Sequence, residues 1–250
     1  MKISEILQFF EALAPFDTQA QWDNSGFLTG DKNSDVSRIL VCLDVTRREL
    51  EYAKKNNCGL IVSHHPVIFK AKKSFTAGDV PFDAAVNGIS IISLHTNLDK
   101  ASGGVNDTLC EILGFPFEKI PAPVSDGFLN IVELPEKMPV KEFAGLLKKK
   151  LHGNISYNEG SGEVKRIGVC SGSGAEFMWD AFDLSCDAFL TGEAHYHEFL
   201  DAEATGLALF TAGHFETEEP VVKVLSQKIR NTFTDLEVIE FPSVSIIKTE

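Results

Sequence analysis

Leu60-Ile61-Val62-Ser63-His64-His65-Pro66 is the stretch on which the fold turns. Leu60, Ile61 and Val62 form a short apolar run, two of the three β-branched, and the polar residues behind them close it, so the reading is a short buried strand with a loop at its carboxyl end. Pro66 disfavours the helical region for His65 and keeps that loop extended. Neighbours on a regular strand point to opposite faces, so His64 and His65 would not normally share one cation; two cations remove the conflict, one for each histidine. Taken alone, such a pair can equally cap nearby backbone groups.

The flanking sequence repeats the pattern. Residues 39–43 are another apolar strand, followed by Thr46-Arg47-Arg48-Glu49, a capping box opening a helix through about Asn56. A helix over 80–86 and a strand over 89–94 come next. Ahead of them, Ile3, Ile6, Leu7, Phe10 and Leu13 fall at helical spacing, with Pro15 as a stop. Residues 106–113 read as a helix ending at Gly114. A proline-rich connection with Pro116, Pro121 and Pro123 is taken as a domain boundary. Beyond it, strands are expected near 128–134, 166–170, 188–191, 207–211 and 236–241, with helices over 140–151, from about 175, and over 220–229. Alternation of this kind predicts an α/β fold with two α/β domains.

Composition narrows the class. The 250 residues are 44% hydrophobic and 24% charged, ordinary for a folded protein, and the net charge of −13 disfavours nucleic acid and anionic membrane surfaces as partners. Five cysteines without a C-x-x-C spacing suggest neither a disulfide framework nor a cysteine zinc site. The start carries Glu5 within its first residues and no secretory pattern, and no apolar run approaches the ~20 residues of a membrane span, so a cytoplasmic location is expected.

Four polar segments follow apolar strands: Ser63-His64-His65-Pro66, His95-Thr96-Asn97-Leu98-Asp99, Gly192-Glu193-Ala194-His195-Tyr196-His197 and Gly213-His214-Phe215-Glu216-Thr217-Glu218. Ligands of open α/β sheets collect at the carboxyl ends of strands, and only one of the seven histidines, His152, lies outside these segments. Asp99 is a candidate bridging carboxylate or a helix-start residue; Ala-Ser-Gly-Gly after it suggests a loop that approaches something closely. His95 is open between ligand, supporting group and proton shuttle. His214 and Glu218 stand four apart, but Pro220 argues for a helix with Thr217 as N-cap and Glu218 as its first residue, leaving His214 on the loop. Glu193, His195 and His197 either wall a site or form a solvated first helical turn. Ser171-Gly172-Ser173-Gly174 reads as a tight turn in preference to a phosphate cradle. Trp22-Asp23-Asn24-Ser25-Gly26 reads as a packed turn with an aromatic anchor.

With these motifs in view, the chain resembles the Ngg-interacting-factor-three-like family, whose members are often labelled type 2 GTP cyclohydrolase I homologues. The resemblance runs through Trp22-Asp23-Asn24-x-Gly26, Leu43-Asp44-Val45-Thr46, Ser63-His64-His65-Pro66, His95 to Asp99, Gly103-Gly104-Val105-Asn106-Asp107, Gly172-Ser173-Gly174, Thr191-Gly192-Glu193 and Gly213-His214 with Glu218. The spacing is that of a short form without a further inserted domain. The resemblance implies two divalent metal ions on His64, His65, Asp99, His214 and Glu218, with Asp99 or Glu218 bridging, and a toroidal homohexamer. It also implies a discontinuous first domain, 1–123 completed by the C-terminal segment 207–250, around an inserted domain at 124–206.

The leading expectation is a metal-dependent hydrolase acting on a nucleotide, a phosphoester or a heterocyclic C–N bond of a small molecule, with His95, Glu193 and His197 as candidates for proton transfer. Imidazoles with carboxylates suit Zn, Mn, Fe, Co or Ni and not calcium. A non-catalytic metal regulator or chaperone is the alternative from another class, and a ring around nucleic acid is a third that the charge disfavours.

Overall fold

The computed structural model describes residues 1–248, which form two compact units, Met1–Gly104 with Val221–Val244, and Val105–Pro220 with the chain end from Ser245. In chain order the first unit carries α1 (Ile3–Leu13), β1 (Gly26–Thr29), β2 (Arg38–Cys42), α2 (Arg47–Lys55), β3 (Leu60–Ser63), α3 (Val80–Val86), β4 (Ser90–Ser93) and α4 (Thr96–Lys100). The second carries α5 (Val105–Leu113), β5 (Phe117–Lys119), β6 (Asn130–Pro139), α6 (Val140–Leu151), β7 (Ser156–Tyr157) and β8 (Glu163–Val169). It continues through α7 (Met178–Asp183), β9 (Ala188–Thr191), α8 (Tyr196–Thr205), β10 (Ala208–Thr211) and α9 (His214–Glu218). The chain then returns to the first unit with α10 (Pro220–Thr232) and β11 (Glu237–Glu240).

The first sheet has the order β1-β4-β3-β2-β11, parallel except for the antiparallel edge strand β1. A parallel sheet buries both faces, which is why β2, β3 and β4 read as continuous apolar runs without alternation. Leu40, Cys42, Ile61 and Ile91 pack with Leu50, Ala53, Ala84 and Phe241, while their strand neighbours Ile39, Val41, Leu60, Val62 and Ile92 are buried as well. Each such side chain contributes roughly 1.5–3 kcal/mol of burial. The capping box of α2 is formed: Thr46 Oγ1 accepts from the Arg48 N–H at 3.1 Å, and the Thr46 N–H donates to Glu49 at 2.8 Å.

The second sheet runs β5-β6-β8-β9-β10-β7, with β8, β9 and β10 parallel and the remaining pairs antiparallel. Its core joins Val132, Leu134, Ile167, Val169, Leu190 and Phe210 to the apolar faces of α5 and α6. The proline-rich connection holds the short strand β5, which pairs with β6 and had no alternating apolar pattern to announce it. Among the described residues no helix is long and apolar enough to cross a membrane.

All five cysteines are buried. Burial pushes the thiols of Cys58 and Cys186 up to about 11 and that of Cys110 to about 12, and raises that of Cys42 well above the ordinary thiol range. Since the thiolate is the reactive form, a thiol reagent at pH 8 should modify less than one cysteine per chain within minutes in the folded protein, and all five once it is denatured. Rapid native modification of two or more would contradict this burial.

Candidate metal centre

The first unit gathers three imidazoles at the carboxyl ends of β3 and β4. Beyond Ser63 the backbone stays pinned, with the His64 N–H on Cys42 O at 3.2 Å and the His65 N–H on Leu43 O at 2.9 Å. Because β3 ends at Ser63, strict face alternation no longer applies, and the two rings lie side by side with centroids 5.0 Å apart. The His95 ring stands 5.2 Å from His64 and 5.5 Å from His65. One nitrogen from each of the three lies within 4.8 Å of the others.

Each ring is held through Nδ1. His64 Nδ1 meets the Leu94 carbonyl at 2.8 Å, His65 Nδ1 meets Asp44 Oδ1 at 2.7 Å, and His95 Nδ1 meets Asp23 Oδ1 at 2.7 Å. A carbonyl or an ionised carboxylate can only accept, so Nδ1 carries the proton and Nε2 becomes the lone-pair nitrogen. Metal-ligating histidines are oriented in this way by carbonyls and carboxylates. Asp99, buried on the single turn of α4, places Oδ1 3.5 Å from His64 Nε2. The donor set of this unit therefore fits a divalent transition-metal ion: lone-pair nitrogens with an adjacent carboxylate.

Two of these supports were not assigned a role from the sequence. Asp23 lies in the turn expected to be a packed aromatic anchor, yet Trp22 is 62% exposed and sets its ring edge-on to Phe69 at 5.8 Å and to His95 at 6.0 Å. The residue of that motif that meets His95 through a hydrogen bond is the aspartate. Burial pushes the Asp23 carboxyl up, but the hydrogen bonds and charge of His95, with those of Thr96 and the Asn24 N–H, hold it well below the usual carboxylate range. Asp44 follows β2 as the histidines follow β3 and β4, so the rule of polar residues at strand ends could have found it.

The second unit has its own polar group at the ends of β9 and β10. His214 and Glu218 lie on one helical turn, α9, with Nε2 and Oε2 3.0 Å apart. This corrects the expectation that His214 sits on a loop before a helix capped by Thr217. Pro220 ends no helix that matters to the pair: the Glu219 N–H still reaches Phe215 O at 2.8 Å, and the proline opens α10, where its missing N–H costs nothing. Two donors about 2.0–2.2 Å from one ion stand roughly 3 Å apart, so this spacing suits shared ligation.

Glu193 Oε2 accepts from Ser173 Oγ at 2.8 Å and lies 3.2 Å from His214 Nδ1. Burial raises its carboxyl, but the hydrogen bonds from Ser173 and His214 and the His214 charge outweigh burial and the nearby Glu218, leaving it below its ordinary value. The Ser171–Gly174 loop is a turn stitched to α9. The Gly172 N–H donates to Thr217 Oγ1 at 3.1 Å, and at φ +58° a Cβ on Gly172 would stand 2.1 Å from Glu218 Oε1. His195 and His197 stack at 5.6 Å and 11° on the exposed first turn of α8.

Residues 1–246 match the family described as Duf34/NIF3 (NGG1p interacting factor 3). A relative from Clostridium perfringens named GTP cyclohydrolase 1 type 2 homolog is 35% identical over 96% of this chain and 95% of its own length. One of the same name from Campylobacter jejuni is 35% identical over 92% and 93%. A hypothetical protein of Staphylococcus aureus superposes with a TM-score of 0.92 at 25% identity, covering 100% of this chain and 99% of that one. Reduced HcgD from Methanocaldococcus jannaschii gives 0.81 at 26%, over 97% and 98%. With the match spanning both units and every histidine-bearing strand end, the chain belongs to the Duf34/NIF3 family.

Proposed function

We propose that this protein is a metal-dependent hydrolase whose ligands are His64, His65, Asp99, His214 and Glu218, holding two divalent ions per chain, with a nucleotide, a phosphoester or a heterocyclic C–N bond as the target. The observation that carries the reading is the common Nδ1 anchoring of His64, His65 and His95, which turns three Nε2 lone pairs into one donor cluster. The names of the relatives from Clostridium perfringens and Campylobacter jejuni agree with hydrolytic opening of a heterocycle. Family likeness extends the proposal to a cytoplasmic homohexamer.

Bound divalent ions supply Lewis acidity and an acidified water. The chain's residues do the rest. His64 and His65 are held rigidly by their backbone bonds to the end of β2. His95 offers Nε2 to take a proton, its Nδ1 being committed to Asp23. Glu193, kept ionised beside His214, is a second proton acceptor. The exposed rings of Trp22 and Phe69, 6.0 and 6.1 Å from the His95 ring, give the site an apolar wall.

Protein charged in turn with Zn, Mn, Fe, Co and Ni should turn over at least one member of a nucleotide, phosphoester and cyclic-amide panel. His95→Ala should slow that reaction about 100-fold, the usual weight of a general base. No turnover with any metal would overturn the hydrolase reading in favour of a metal regulator or chaperone.

A further inference from the structure

Asp23 is an unusual turn residue. Its side chain has no exposed surface, and every group that touches its two oxygens is able to donate to them. Oδ1 receives the Asn24 N–H at 2.7 Å and His95 Nδ1 at 2.7 Å; Oδ2 receives Ser25 Oγ at 3.0 Å, the Thr96 N–H at 3.0 Å and Thr96 Oγ1. Ser25 Oγ already accepts the His95 backbone N–H and Thr96 Oγ1 the Ala20 N–H, so both hydroxyls have their hydrogens left for Asp23, and the carboxyl is held well below the usual carboxylate range. The group is therefore an anion, and an anion facing an imidazole nitrogen at 2.7 Å requires the proton on that nitrogen.

We propose that Asp23 is a positioning residue that locks the His95 ring as the Nδ1–H tautomer, so that Nε2 carries the lone pair beside His64 and His65. The competing description is that Asp23 only ties the turn at 22–26 to the start of α4, through Ser25 and Thr96. The two differ in the bond to His95. An anchor for the turn would be served by the bonds from Asn24, Ser25 and Thr96, whereas Oδ1 spends its second lone pair on an imidazole that gives one nitrogen to the cluster with His64 and His65. The Trp22 and Phe69 rings close around the same imidazole, so its orientation is fixed by one carboxylate and framed by two aromatic edges. The role assigned to His95 rests on the proposed hydrolysis; the tautomer does not.

Long-range proton–nitrogen correlation spectra of metal-free protein at pH 8 read the tautomer directly, with His95→Gln identifying the signals. Wild type should show His95 with its proton on Nδ1. Asp23→Ala should shift at least half of the ring to the Nε2–H form. Thr96→Val, which removes one donor to Asp23 but leaves the His95 bond, should lower the melting temperature and keep Nδ1–H. A wild-type His95 in the Nε2–H form, or a folded Asp23→Ala protein still in the Nδ1–H form, would overturn the proposal. If Asp23→Ala does not fold, the wild-type and Thr96→Val spectra decide it. A failed substrate panel would remove the hydrolase reading without touching this result.

Discussion

His64→Ala and Asp99→Ala should each lower the metal bound per chain by about one equivalent or more, because each removes a ligand atom of the proposed site, whose affinity depends on the full set. His64 is 1% exposed, and its ring is held between the Leu94 carbonyl and Asp99. The variant also loses a buried side chain, and a stability loss of roughly 1–3 kcal/mol should accompany the metal loss. Asp44→Ala is the informative contrast. Asp44 is 55% exposed and meets His65 at Nδ1, away from the proposed ligating nitrogen, so its loss should weaken affinity about 10- to 100-fold yet permit full occupancy at saturating metal. Elemental analysis after dialysis checks the first pair, and competition against a chromophoric chelator checks the third. Unchanged metal content in both His64→Ala and Asp99→Ala would defeat the ligand assignment.

The histidine-bearing segments could be read from sequence because a parallel strand advertises itself twice. Its apolar run, such as Leu60-Ile61-Val62, is unbroken because both faces are buried, and its carboxyl end is where polar residues can converge. Four histidine-bearing segments at four strand ends were therefore visible, and the structure puts those segments after β3, β4, β9 and β10. Asp23 carried no such mark. It precedes an edge strand, in a turn whose composition looks like any other turn, and reaches His95 across 72 positions of sequence. Pairings of that range are made by tertiary packing and leave no local period. The helical turn at 214–218 is not legible for a different reason: Pro220 reads as a start signal for one helix, whereas the chain makes a single turn and then begins a second helix at the proline. A proline removes its own N–H and disfavours the helical region for the residue before it, yet Glu219 stays helical at φ −52° and ψ −36°, so the turn at 214–218 closes ahead of the proline all the same.

Gly104→Ala should be among the most damaging single-methyl additions in the first unit. A Cβ at this position would lie 1.9 Å from Leu98 O and 2.9 Å from Ala101 O, both main-chain atoms that no rotamer change can move. The glycine closes the turn after α4, its N–H on Ala101 O at 3.0 Å, and the Ala101 N–H in turn on Leu98 O at 3.3 Å. Relief must therefore shift the peptide that joins Leu98 to Asp99, coupling stability to a proposed metal ligand. Overpacking against backbone at this depth costs about 3 kcal/mol or more, or roughly 6–12 °C in melting temperature for a chain of this size. Gly103→Ala calibrates the result: its φ of +65° imposes left-handed strain of about 1–2 kcal/mol, but its Cβ would meet only the flexible tip of Lys228 at 3.1 Å. The expected order in thermal melts is wild type, then Gly103→Ala, then Gly104→Ala, and only Gly104→Ala should also lose metal, since only it pushes on the peptide bearing Asp99. A Gly104→Ala protein melting above Gly103→Ala would show that the Leu98 peptide yields freely, and the close approach would then have no part in holding Asp99.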